Sequence, residues 1–199
     1  MILTAIRHTS VDVPSGICYG ITDVPLAPTF QAEASQIQAE LGNRQFDRIY
    51  SSPLTRCTQL ASSLFPEKIF FPDDRLEELD FGDWEMQEWN TIFNSPEGKV
   101  WFEDYSRASC PNGESFAYLV TRVKSFLDEL KAYENEPIAI ITHAGVIRAL
   151  MCLLQQKSAG EAFNTPLKYG QLVNFDYYQL VTRNPKPATL IVTTHTVVC

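Results

Sequence analysis

Cationic residues are scarce in this chain of 199 residues: 16 Lys and Arg stand against 24 Asp and Glu, a formal net charge of -8. Such a balance opposes polyanionic partners, so neither nucleic acid nor an anionic membrane surface is expected, and any phosphate site must be locally positive. Cysteine is sparse and scattered. Cys18, Cys57, Cys110, Cys152 and Cys199 are odd in number, and no close pair reads as a zinc knuckle or redox dithiol, so reduced structural thiols are expected. The three histidines, His8, His143 and His195, lack ligand spacing and no Asp-rich cluster joins them, which argues against a metal-dependent hydrolase. No apolar run approaches the ~20 residues that span a bilayer, and MILTAI at the start lacks the basic lead of a signal peptide, so a cytoplasmic protein is expected. Repeats, linkers and low-complexity stretches are missing too, which leaves one domain over residues 1–199.

What is present is an alternation of short apolar runs with helix-period segments, the pattern of βαβ units on a mostly parallel sheet. A first strand is expected over 2–6, then a turn-rich loop, a helix marked by Phe30, Ala34, Ile37 and Leu41, and a second strand over 48–50. Ser52 followed by Pro53 reads as an N-cap and first helical position, with Leu54, Cys57, Ala61 and Leu64 along one face and Arg56 in the first turn. Periodicity weakens from about 76 to 111 while aromatics accumulate, so an aromatic-rich helical insertion is expected at about 84–111. A long amphipathic helix follows through Phe116, Leu119, Val123, Phe126, Leu127 and Leu130, with Asn112 or Ser115 near its start. The run PIAIIT over 137–142 is a buried central strand ending at His143. Two alternating segments, 172–181 and 189–198, flank Asn184-Pro185-Lys186-Pro187 as an antiparallel hairpin or edge pair; His195 lies in the second and takes a structural or surface role.

Read alone, Arg7-His8 could merely close an edge strand with polar residues. Position changes the reading, because Arg7 and His8, Ser52 with Arg56, and His143 all fall at strand-to-helix junctions, and parallel strands would gather those junctions at one crevice. A helix start also offers free amides and the positive end of its dipole, which Arg56 would reinforce as an anion site.

The segments IRHT (6–9), GITDVPL (20–26), IYSSPLTRCTQLA (49–61), LEELDFGDWE (76–85), NGES (112–115) and ITHAGVIRAL (141–150) resemble, in order, the histidine phosphatase superfamily, its phosphoglycerate mutase-like branch. That resemblance implies an α/β fold, a three-layer α/β/α sandwich whose mostly parallel sheet carries an antiparallel edge strand. It implies His8 as nucleophile, Glu78 as proton donor rather than the neighbouring Glu77 or Glu85, and Arg7, Arg56 and His143 as phosphate contacts. Ala144 and Thr9 are the further substrate contacts it points to. The family's usual Gly after the histidine and its later Asn are replaced here by Thr9 and the run Ser10-Val11-Asp12. A neutral imidazole attacks a dianionic phosphomonoester without repulsion, and clamping arginines stabilise the equatorial oxygens, so no cofactor or metal is expected.

RHTSVD, CYGITDVPL and FGDWE are most similar to the alpha-ribazole phosphatase branch, which implies a small-molecule phosphomonoester substrate. Tyr19 and the aromatics from Trp84 to Tyr105 form either a stacking wall for a planar leaving group or plain core. The alternatives are a broad sugar-phosphate phosphatase, a fructose 2,6-bisphosphatase or phosphoglycerate mutase-like enzyme, and a noncatalytic phospholigand-binding domain. Oligomeric state is left open by the sequence.

Overall fold

The computed structural model describes residues 2–176. In chain order its elements are β1 (Ile2–Arg7), α1 (Phe30–Leu41), β2 (Arg48–Ser51), α2 (Thr55–Leu64), β3 (Phe71–Pro72), α3 (Trp89–Asn94), α4 (Pro96–Glu103), α5 (Phe116–Leu130), β4 (Ile138–Thr142), α6 (Ala144–Gln155), α7 (Ala159–Asn164) and β5 (Leu172–Asp176). The strands form one sheet in the order β3-β2-β4-β1-β5. The first four run parallel, with Ala5 beside Ile140 and Tyr50 beside Ile140, while β5 is antiparallel on the edge, with Leu3 opposite Phe175. The fold is a mostly parallel sheet with one antiparallel edge strand, flanked by helices.

Strand alternation sorts the core into two layers. Ile6, Ile49, Ala139 and Ile141 face one way and pack with Ala34, Ile37 and Leu41 of α1 and Cys57, Leu60 and Leu64 of α2. Leu3, Ala5, Ile138 and Ile140 face the other way, onto Leu119, Val123 and Phe126 of α5 and Val146, Ile147 and Leu150 of α6. β4 is buried along its whole length, which explains why PIAIIT shows no polar alternation.

Helix starts reveal how distant loops are tied in. Ser115 caps α5, its hydroxyl accepting from the Tyr118 amide at 3.2 Å. α2 begins later than the Ser-Pro pair predicts: Leu54 is the flanking residue and Thr55 the first helical one. The cap comes from another loop, because Asp23 accepts from the Thr55 amide at 2.9 Å and from the Thr55 hydroxyl. Ser52 Oγ accepts from the Leu54 amide at 3.3 Å and meets His143 as well. Asp23 belongs to the GITDVPL segment, so that segment's carboxylate pins the loop after β1 to the start of α2.

Between 84 and 111 lie α3 and α4, with a 3₁₀ turn (Gly82–Trp84) ahead of them. Trp84 and Trp101 are buried and meet edge to face at 5.7 Å, with Phe81, Trp89 and Phe102 around them. Their rings pack on one another as a core for the short helices, the second of the two readings the sequence offers for this segment. The second terminal segment, the Asn184-to-Pro187 turn, His195 and Cys199 lie outside the described residues.

Candidate active site

β2, β4 and β1 are neighbours, so their carboxyl ends bring Ser52, His143 and His8 side by side. The His8 backbone is held on both sides. Its amide donates to the Thr142 carbonyl at 2.9 Å, and its carbonyl accepts from the Gly170 amide at 3.1 Å. The imidazole is only 2% exposed, and its Nδ1–H donates to the Thr9 carbonyl at 2.7 Å, which leaves the lone pair on Nε2. Burial, then the charges of Arg56 and Arg7, push its pKa well below the ordinary histidine value. His8 is a neutral base with one oriented nitrogen.

His143 stands edge-on to it at 5.1 Å between ring centroids. Its Nδ1 accepts from Arg56 Nε at 3.3 Å, so the ring proton sits on Nε2 and is shared with Ser52 Oγ at 2.8 Å. Burial, followed by the Arg56 charge, depresses its pKa as well. Two neutral imidazoles therefore share a pocket walled by cations.

Arg56 is fully buried on the first turn of α2, where it donates to the carbonyls of Thr22 (2.9 Å) and Gly20 as well as to His143. A guanidinium has five N–H donors, and these three bonds leave two for an anion. The loop it grips is also gripped from its amide side, because the Glu85 carboxylate accepts from the amides of Gly20 (2.9 Å), Ile21 (3.2 Å), Thr22 (3.2 Å) and Phe81 (3.1 Å). Gly20 is required there: a Cβ would lie 1.8 Å from the Leu79 carbonyl oxygen.

Arg7 donates to the Leu167 carbonyl at 2.6 Å, while its Nε, like the Thr9 hydroxyl, is buried with no hydrogen-bond partner among the described residues. Unmade bonds of buried donors cost about 1–3 kcal/mol each, so their concentration beside one nitrogen base is the mark of an anion-binding site.

Glu78 reaches the same region from the segment after β3. Its carboxylate accepts from the Gly145 amide at 3.0 and 3.2 Å, in the first turn of α6. Gly145 makes this approach possible, since a Cβ would fall 2.1 Å from Glu78 Oε1. The segment is held in place by Thr142, whose hydroxyl donates to the Leu76 carbonyl at 2.8 Å, and by Arg122 of α5. Arg122 donates at 2.8 Å to the carbonyls of Arg75, Glu77 and Glu78 while pairing with Glu114 at 3.0 Å. Burial and the Asp74 charge raise the pKa of Glu77, but the carboxylate bonded to the Gly145 amide is that of Glu78.

Arg7, His8, Thr9, Arg56 and His143 thus gather in one pocket, with Glu78 at its α6 side and Ala144 between His143 and Gly145. Tyr19 and Tyr169 cover it. Their hydroxyls meet at 2.6 Å, the Tyr169 ring lies 5.5 Å from the His8 ring, and the Arg7 guanidinium sits 4.0 Å over the Tyr169 ring. Sequence reasoning singles out Tyr19 but not Tyr169, Arg122 or the Glu85 clasp. The Tyr169-Gly170 pair carries the only local hint, a turn residue before a strand; Arg122 gives none.

A cluster of two neutral histidines, two arginines and a carboxylate at the ends of parallel strands defines a phosphoryl-transfer class, and comparison agrees. A model of the histidine phosphatase superfamily (branch 1) matches residues 3–184, and the chain belongs to that family and is a phosphatase. Among curated proteins it is 31% identical over 158 residues to "Phosphoserine phosphatase 1" of Hydrogenobacter thermophilus, covering 76% of this chain and 75% of that one. Among solved structures it is similar to the alpha-ribazole phosphatase of Shigella flexneri, at TM-score 0.81 and 26% identity over 88% of this chain and 90% of that one. A mycobacterial glucosyl-3-phosphoglycerate phosphatase aligns at TM-score 0.77 and 25% identity, over 87% and 88%.

Proposed function

We propose that this chain is a metal-independent phosphomonoesterase working through a phosphohistidine at His8. The observation that carries the reading is the free Nε2 of a buried neutral imidazole beside the unpaired Arg7 Nε and Thr9 hydroxyl. A phosphoryl group in that pocket receives donors from Arg7, Thr9 and Arg56, the last oriented by its bond to His143, so its oxygens meet no opposing charge.

The His8 Nε2 lone pair attacks phosphorus in line as the P–O ester bond breaks. The departing alkoxide takes a proton from the Glu78 carboxyl, which otherwise leaves poorly. In the second half, the Glu78 carboxylate accepts a proton from water, water oxygen bonds to phosphorus, and the P–N bond breaks to return its electron pair to His8. The proton that Glu78 gives in the first half is thereby restored. Neutral His8 matters throughout, because a protonated imidazole has no lone pair to give.

For the substrate we favour alpha-ribazole 5'-phosphate, on the CYGITDVPL and FGDWE segments and the likeness to the Shigella enzyme. Phosphoserine is the second reading, favoured by the 31% identical relative. Incubation of the enzyme with each ester, followed by alkaline quench, should trap an acid-labile phosphoryl group that disappears in His8→Gln; undiminished turnover by His8→Gln would sink the mechanism. Activity is expected to survive excess EDTA. Comparison of kcat/KM for the two esters, with 3-phosphoglycerate and fructose 2,6-bisphosphate alongside, decides the substrate.

A further inference from the structure

The tyrosine pair over the pocket has no part in the scheme above, yet it stands between the nucleophile and solvent. His8 is 2% exposed and Thr9, Arg56 and His143 are fully buried, whereas Tyr169 is 39% exposed. Each ring rests on one of the two arginines: Tyr169 on Arg7 at 4.0 Å and Tyr19 on Arg56 at 5.5 Å. The hydroxyls meet at 2.6 Å, joining the loop before β5 to the loop after β1. Burial and the Tyr169 hydroxyl raise the Tyr19 pKa above its ordinary value, so Tyr19 stays a neutral phenol that can donate.

The backbones beneath these rings are unequally held. The Tyr19 loop is fixed by the Glu85 carboxylate and the Arg56 guanidinium acting on the residues that follow it. Tyr169 is tethered through its neighbours, the Gly170 amide on the His8 carbonyl at 3.1 Å and the Lys168 amide on Gln171 at 2.8 Å. Separation of the hydroxyls therefore needs only rotation of the Tyr169 side chain, with no loss of main-chain bonding.

We propose that Tyr19 and Tyr169 are the specificity-determining pair of the site: their hydroxyl bridge closes the entrance to His8, and it parts to place both phenols on polar atoms of the ester's leaving group. The reading rests on the phosphomonoesterase assignment and adds what the leaving group must be. A leaving group bearing hydroxyls or a carboxylate close to the ester oxygen replaces the broken tyrosine bond with two new ones. An alkyl leaving group breaks the bridge and returns nothing, leaving two polar groups unpaired.

Propyl phosphate and glycerol 1-phosphate test this, because their leaving groups differ only by two hydroxyls. Wild-type enzyme is expected to favour glycerol 1-phosphate. Tyr19→Phe and Tyr169→Phe keep the ring and its arginine contact, so a thermal melt should match wild type. Each variant should leave kcat/KM for glycerol 1-phosphate within about twofold of wild type, because the bond it no longer makes to the ester offsets the bridge it no longer breaks, while its preference for glycerol 1-phosphate over propyl phosphate falls about fivefold, the scale of one hydrogen bond of about 1 kcal/mol. Propyl phosphate turnover should rise, since the bridge no longer opposes entry. An equal change for both esters in either variant would overturn the proposal. Failure of wild type to hydrolyse either ester or 4-nitrophenyl phosphate, with no phosphoryl group on His8, would instead defeat the phosphomonoesterase assignment and the pair's role with it.

Discussion

Gly145→Ala isolates the placement of the proposed acid. The new Cβ would lie 2.1 Å from Glu78 Oε1 and 3.1 Å from Leu119 Cδ2, against an ordinary contact of about 3.4 Å or more. Leu119 is buried and fully packed, so the carboxylate is the group that yields, by more than about 1 Å, and its bonds of 3.0 and 3.2 Å to the Gly145 amide are lost. A displacement of that size costs on the order of a hundredfold in rate, or about 2.7 kcal/mol. The backbone at 145 is helical and suits alanine, so folding is preserved. The assay is kcat/KM on an alkyl phosphate and on 4-nitrophenyl phosphate, whose leaving group departs as a stable anion and needs little protonation. The alkyl ester should lose the hundredfold and the nitrophenyl ester much less. In a Glu78→Ala background the same substitution should add less than about threefold, because the group it displaces is gone. Equal losses on both esters, or a full hundredfold in the Glu78→Ala background, would refute the reasoning.

Thr9→Val removes a buried hydroxyl that has no partner, so the folded protein should be unchanged or about 1 kcal/mol more stable by urea titration, while inhibition by inorganic phosphate weakens about tenfold; destabilisation beyond about 1 kcal/mol would mean the hydroxyl is structural. Arg122→Leu strands Glu114 and three carbonyls, and is expected to cost about 3 kcal/mol in the same titration; a cost below about 1 kcal/mol would show that the segment holds itself. His8 and His143 both have pKa values depressed by burial, so below the ordinary histidine value of 6.5 the unfolded chain binds two protons that the folded chain does not. Stability is therefore greatest above that pH and should fall by about 2 kcal/mol for the pair as pH drops from 6.5 to 5.5; a flat profile across that interval would contradict neutral burial.

The parallel strands and the helices on either face can be read from periodicity alone, because burial on two sides writes uninterrupted apolar runs and burial on one side writes a 3.6-residue repeat. β3 cannot be, since two residues, Phe71 and Pro72, carry no period. The start of α2 misleads for a physical reason. Ser52-Pro53 has the chemistry of a cap, but the Ser52 hydroxyl faces His143 and the capping carboxylate arrives from Asp23, 32 positions earlier. In the pocket, residues at strand ends are legible because topology alone brings strand ends together. Tyr169 acts through distant side chains and Arg122 through distant backbone, and beyond the turn glycine after Tyr169 no local pattern marks them. The tryptophans show the converse: a dense aromatic segment catches the eye, yet its rings satisfy one another.

β1 has a consequence for how the chain comes to be folded. The strand that ends in Arg7 is made long before its partners, which come from residues 138–142 and 172–176. During synthesis it must wait with its edges unsatisfied until most of the chain has emerged, and closing such long loops makes its docking slow. The apolar run MILTAI is thus the segment most exposed to mispairing in a growing or unfolded chain. Because His8, the proposed nucleophile, directly follows that late-docking strand, recovery of catalytic activity after dilution from urea should report completion of the sheet, lagging behind the burial of the α5 and α6 core.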